Sequence, residues 1–168
     1  GGVEEAARAR VRCAWAKFKE LSPILTARGA SYHIKGKIYK ACVQSVLTYG
    51  TETWAKKIAN LLSLERTERM MVRWMCGVSL KDRKYSVDLY SLLDVKSVDE
   101  VVRRGRLRWF GHVERKNGDD WVSACRNVVV AGVRCVGRGR KTWRECVKED
   151  TDELGLHPEW AVFRDMWR

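Results

Sequence analysis

Ten consecutive residues, Arg103-Arg104-Gly105-Arg106-Leu107-Arg108-Trp109-Phe110-Gly111-His112, hold four arginines and two large aromatic rings. A guanidinium is a planar fork that meets phosphate oxygens at two points, and it stacks as readily as an aromatic ring does on an unpaired base. Arg115 extends this cluster. A second one follows at Arg134, Arg138, Arg140, Lys141 and Arg144, woven with Gly132, Gly137 and Gly139 and reaching Trp143. Glycines let a backbone approach a phosphate closely, and a helix start just after them supplies N–H donors. The spacing is not that of a nucleotide-hydrolase phosphate loop, which needs Gly-x4-Gly-Lys-Ser/Thr. Lys35, Lys37 and Lys40 form a third basic set along an earlier helix. The chemistry these types and spacings suit is contact with a polyanion, largely independent of sequence.

Other chemistry finds little support. His33, His112 and His157 lie far apart in the chain and suggest no nucleophile–base–orienter set. Asp119-Asp120 and Glu149-Asp150 read as helix-end or surface acids rather than ligands of a two-metal centre. Cys125, Cys135, Cys146 and His157 are spaced by about ten residues, whereas zinc modules pair their ligands two to four apart. No catalytic residue, metal site or cofactor is expected. Trp15, Trp54, Trp74 and Trp143 fall in apolar stripes and are expected in the core, as are Cys13, Cys42 and Cys76.

The composition agrees with a polyanionic partner. The chain has 168 residues, a formal charge of +12 and 45% apolar residues, enough for a core and far too basic to be neutral toward nucleic acid. No apolar run is long enough for a membrane span, so no membrane partner is expected. Six cysteines without close pairing suggest reduced thiols and an intracellular protein of nucleus or cytoplasm. The chain begins at Gly1, which suggests a piece of a longer protein.

Helical periodicity must position these residues. Ala6, Val11, Ala14, Trp15, Phe18 and Leu21 share a face of a first helix that is expected to end before Pro23. Ile34, Ile38, Cys42, Val46 and Tyr49 mark a second helix, and residues 52–76 a third, with Gly77 beyond its end. A short helix is expected over 87–93. Ser97 and Glu100 form a capping box that starts the arginine-bearing helix. Helices over 120–127 and 141–154 follow, with 128–139 as a loop or short hairpin between them, and Pro158 opens a last helix carrying Trp160, Phe163 and Trp167. The fold class is mostly α: an N-terminal three-helix bundle over 1–80, then a smaller basic helical region over 81–168.

Several segments together resemble the C-terminal part of the reverse transcriptase of non-LTR (LINE-type, RTE-like) retrotransposons. They are Ala14-Trp15-Ala16-Lys17-Phe18, the stretch from Lys40 to Trp54 (KACVQSVLTYGTETW), that from Glu65 to Met75 (ERTERMMVRWM), and those over 104–114 and 137–147. The resemblance implies a helical thumb over about Ala6 to Leu80, gripping a template–primer duplex, and a basic extension holding template RNA or target DNA. It carries over no catalytic residue, because neither the Tyr-x-Asp-Asp box nor the endonuclease signatures occur in this sequence. The chain is thus expected to be no enzyme on its own, to bind RNA or DNA or both, and to work with the remainder of a parent polyprotein. If about six phosphates are engaged, binding should weaken about a thousandfold between 50 and 200 mM salt. Two alternatives stay open: a helical protein-interaction module with exposed Trp and Leu faces, and a relic of a decayed element without function.

Overall fold

A computed structural model of the chain describes residues 2–55, 58–116, 120–128 and 141–167. Every regular element among the described residues is helical, so the fold is mostly α. The elements are α1 (Gly2–Leu25), α2 (Tyr32–Ile38), a π-helical segment (Tyr39–Gln44), α3 (Ser45–Thr48), α4 (Ile58–Cys76), α5 (Ser86–Leu93), α6 (Val98–Glu114), α7 (Trp121–Asn127) and α8 (Trp143–Leu154), with short 3₁₀ turns at Thr51–Thr53, Leu80–Asp82 and Pro158–Val162. None of the described helices is long and apolar enough to cross a membrane.

The chain divides into two compact units. The first holds Gly1–Gly50 and Lys57–Val102, and the second Thr51–Lys56 and Arg103–Arg168. The division therefore falls inside α6, not near residue 80, because α5 and the first turn of α6 pack on the helices before them.

Sequence and structure differ at three helix ends for identifiable reasons. Helix α1 continues through Pro23 to Leu25. A proline at 23 cannot donate to the carbonyl of Lys19, and the Ser22 hydroxyl donates to that oxygen instead, at 2.8 Å. Residues 51–53 form a 3₁₀ turn, and the third long helix starts only at Ile58. Pro158 opens a 3₁₀ turn as a first-position proline would, but the chain beyond it continues in turns rather than as a helix. Of the loop or short hairpin expected over 128–139, residues 129–139 lie outside the described residues.

In the first unit Ala14, Phe18, Leu25, Tyr39, Val43, Leu47, Leu64, Met71, Val72, Met75, Leu93 and Val98 are buried. Trp15 and Phe18 of α1 meet Trp74 of α4, yet Trp74 keeps 54% of its surface exposed rather than joining the core. Cys13 is likewise exposed, and Cys42 and Cys76 are only half-buried. Helix α2 crosses the end of α5 backbone to backbone: a Cβ on Gly36 would lie 1.8 Å from the Leu93 carbonyl oxygen.

Amid this apolar packing sits a fully buried carboxylate, Glu68. Its Oε1 accepts from Gln44 Nε2 at 2.8 Å and Tyr39 Oη at 3.3 Å, and its Oε2 accepts from the Val98 N–H at 2.6 Å and Tyr90 Oη at 3.1 Å. The π segment makes the first pair of bonds reachable. In an α-helix, residues five apart point about 140° away from each other, whereas i→i+5 winding brings Tyr39 and Gln44 to one side. Burial pushes the Glu68 carboxyl above the usual range, and the four donors offset only part of that. Burial and the neighbouring carboxylate push Tyr39 and Tyr90 up in turn.

The second unit is organised by a buried ion pair. The Arg106 guanidinium donates to the Asp150 carboxylate, joining α6 to α8, and the two side chains are 3% and 2% exposed. Leu107, Val113, Cys146, Val147, Thr151 and Ala161 are buried in the same unit. Phe110 contacts the rings of Trp143 and Trp167. The Trp143 indole N–H donates to the Glu52 carbonyl at 2.7 Å, and that of Trp167 to the Leu107 carbonyl at 2.8 Å. A Cβ on Gly111 would lie 2.4 Å from Trp167 Cδ1, so this glycine makes the seat for the last tryptophan. Helix α8 starts at a capping box, with Thr142 Oγ1 accepting from the Glu145 N–H and the Glu145 carboxylate accepting from the Thr142 N–H, and ends at Gly155 in the left-handed region (φ 63°).

Two stability predictions follow from these buried groups. Glu68→Gln turns one acceptor oxygen into an amide NH2 that must face either Gln44 or the Val98 N–H, both already donors, and should lose about 1–3 kcal/mol. A raised native value means that the proton is held more tightly folded than unfolded. The contribution of Glu68 is therefore full below the ordinary glutamate value of about 4.3 and fades as pH climbs through the native one. The gap between wild type and Glu68→Gln in urea unfolding should thus widen from pH 7 to pH 5; a gap that narrows on acidification would mean a carboxylate stabilised in its charged form. Asp150→Ala should cost about 3–5 kcal/mol because it strands a buried guanidinium, and the double change Arg106→Met with Asp150→Leu should recover most of it. Thermal melts of the three proteins check this, and an Asp150→Ala protein as stable as wild type would refute it.

Candidate nucleic-acid interface

Helix α6 sorts its arginines by face. At about 100° per residue, Arg104, Arg108 and Arg115 fall within about 40° of one another round the axis, while Arg106 lies nearly opposite. The α6 face that carries Arg103 and Arg106 meets the acidic side of α8. There Arg106 pairs with Asp150, and Arg103 meets Glu153 at 3.2 Å. Lys141, just before α8, pairs with Glu149 of the same helix, which holds the lysine above its ordinary value through that hydrogen bond.

The other face opens on a cleft of about 660 Å³ within the second unit. Arg104, Arg108 and Arg115 line it, together with His112 and with Arg164 of the C-terminal segment; Leu107, Leu154, Leu156, Met166 and Trp167 complete the lining. No carboxylate is among these lining residues. Arg104 and Arg108 are exposed; Arg115 is half-buried and donates from one guanidinium nitrogen to the Ala161 carbonyl at 2.6 Å, leaving further donors on a five-donor group. The His112 ring stacks on Trp109, with centroids 5.3 Å apart. Leu154 and Met166 are 50% and 58% exposed, so apolar surface faces water among the cations.

The thirteen basic residues expected to contact polyanion thus separate into groups. Arg104, Arg108 and Arg115 come together. Arg144 is exposed on α8 but does not line the cleft. Arg103 and Lys141 are engaged by carboxylates, and Arg106 is core. Arg134, Arg138 and Arg140 lie outside the described residues. In the first unit only Lys37 of the lysine set is plainly exposed. Lys35 is buried and its ammonium donates to the Met75 carbonyl at 3.0 Å, closing the end of α4. Lys40 donates to the carbonyl and the carboxylate of Asp94, at 2.7 and 2.9 Å. The exposed aspartate is held below its ordinary range by that hydrogen bond. These lysines fasten helix ends rather than form a row toward a ligand. Of the four residues whose spacing does not suit a zinc module, Cys146 is buried and Cys125 exposed, and Cys135 lies outside the described residues.

Sequence reasoning missed Arg164 and the apolar wall. Arg164 stands in Trp160-Ala161-Val162-Phe163-Arg164-Asp165-Met166-Trp167, the same mixture of cation and ring that singled out α6. That signal was present and was overridden by the helix expected there.

The chain is similar to a transposon-derived, uncharacterized protein of Caenorhabditis elegans, at 25% identity over 146 residues. The match covers 84% of this chain and 52% of that protein, so the chain spans about half the length of its relative. No family model matches the chain, and no solved structure matches it.

Proposed function

We propose that the chain is the nucleic-acid-gripping part of a reverse transcriptase of retrotransposon origin, a non-catalytic piece that holds RNA or DNA through arginine–phosphate contacts. The observation that carries this is the convergence of Arg104, Arg108, Arg115 and Arg164 on one cleft with no carboxylate in its described lining. The name of the worm relative supports a transposable-element source, and the resemblance of residues 40–54 and 65–75 to the segment after a polymerase palm supports the rest. On this reading the first unit is the thumb, the chemistry belongs to a palm elsewhere in a parent protein, and the chain by itself extends no primer.

Four guanidinium–phosphate contacts set the expected strength. Binding should weaken roughly 50- to 150-fold between about 50 and 200 mM salt, less than six contacts would give. Fluorescence anisotropy with labelled oligonucleotides across that range measures the slope. The triple variant Arg104→Ala, Arg108→Ala, Arg164→Ala should lower the salt slope by about 2 to 3. A binding curve unchanged in the variant, or one that ignores salt, would remove the cleft from the interface.

A second reading, the protein-interaction module, is favoured by Met70 and Trp74, one turn apart on α4 and 60% and 54% exposed. It expects a stable oligomer or complex that ignores oligonucleotides, which light scattering with and without nucleic acid distinguishes.

A further inference from the structure

We infer that the cleft of the second unit takes an unpaired nucleotide, so that this cleft grips single strands in preference to duplex. This rests on the polyanion reading above and adds a base to it. The cleft has two chemistries side by side. Arg104, Arg108, Arg115 and Arg164 supply cations, and Leu107, Leu154, Leu156, Met166 and Trp167 supply an apolar wall. A site for phosphate alone has no use for that wall, and a site for an apolar ligand has no use for four guanidinium groups. A nucleotide carries both complements, an anionic phosphate and a flat, largely apolar base.

Shape narrows the choice. A cavity of about 660 Å³ is of the size that encloses a small molecule, and a nucleotide entering from a single strand can fill it. In a duplex the bases are stacked and paired, and reaching such a wall would cost the energy of flipping one out. The His112 ring, already backed by Trp109, lies at the same cleft and offers a stacking face. Half-exposed Leu154 and Met166 are then the edge over which a base would close, removing their surface from water.

The test uses the 168-residue chain and three probes with equal phosphate counts. They are a single-stranded dodecamer, the same backbone with abasic sites throughout, and a duplex, each read by anisotropy at fixed salt. The intact single strand should bind at least about fivefold more tightly than the abasic one, the smallest increment one stacked base supplies, and more tightly than the duplex. The double variant Leu154→Ser with Met166→Ser changes only exposed side chains. It should lose that increment while binding the abasic strand as before, with its circular dichroism and melting point confirming the fold. Equal binding of intact and abasic strands, or a preference for duplex, overturns the inference and leaves the polyanion reading standing. Failure of all three probes to bind overturns both.

Discussion

A guanidinium cut off from water needs acceptors beside it, and the pair formed by Arg106 and Asp150 fixes what the second unit can present. Two groups 3% and 2% exposed have lost their water, and only close pairing keeps that loss tolerable. The pair sets the rotation of α6 about its own axis. With Arg106 turned toward α8, a helix of 3.6 residues per turn has no choice but to send Arg104, Arg108 and Arg115 to another side. The acids of α8 then serve two ends: Asp150 holds the core, and Glu149 and Glu153 absorb charge from Lys141 and Arg103. A run of arginines that reads as one patch in the sequence is divided by geometry between the side that meets α8 and the side that lines the cleft.

The first unit meets the same constraint with the opposite solution. Glu68 is as buried as Asp150, but the hydrogen bonds it accepts come from two hydroxyls, an amide and a backbone N–H rather than from a cation. Without a countercharge its donors offset only part of the desolvation cost, which is why its carboxyl is pushed up. The donors come from the π segment, α5 and the start of α6, so one carboxylate gathers three elements of the chain. The π winding of Tyr39–Gln44 is the local adjustment that this convergence needs, and Gly36 in α2 gives the close approach to Leu93 at the end of α5.

Apolar spacing made most of the helices legible, since a 3.6-residue repeat is a local property and burial follows it. The Ser97 start was also readable: its Oγ accepts from the Glu100 N–H, although the Glu100 carboxylate accepts from Lys96. What local pattern could not reveal was pairing across the chain. Lys35 looks like any surface lysine until the end of α4 arrives beside it, forty residues on, and Lys40 meets Asp94 across fifty-four. Arg106 differs from Arg104 only in phase, and phase has meaning only once the partner helix is placed. Gly36 and Gly111 carried a usable sign, since a glycine inside a helical pattern costs about 1 kcal/mol against alanine and tends to mark close packing. The 3₁₀ ends at 51–53 and 158–162 were lost to over-extension of the helical repeat.

Net charge alone would not make a binding site of this chain. At physiological salt the field of a surface charge fades over about 8 Å, so cations scattered over a molecule do not act together on one ligand. Arg104 and Arg108 are separated by about 6 Å of helix rise, inside that distance, and on the proposed reading would act as one phosphate anchor. Arg115, one residue past the end of α6, stands about 16 Å from Arg104 along the helix axis, too far to share an anion with it, and on the same reading would meet a later phosphate of the strand. A lone anion would satisfy one of these positions, whereas a chain of phosphates satisfies the row. On the proposed reading the stripe on α6 would favour a polymer over a single anion, and the wall of Leu154, Met166 and Trp167 beside it would favour, among polymers, one whose bases are unpaired.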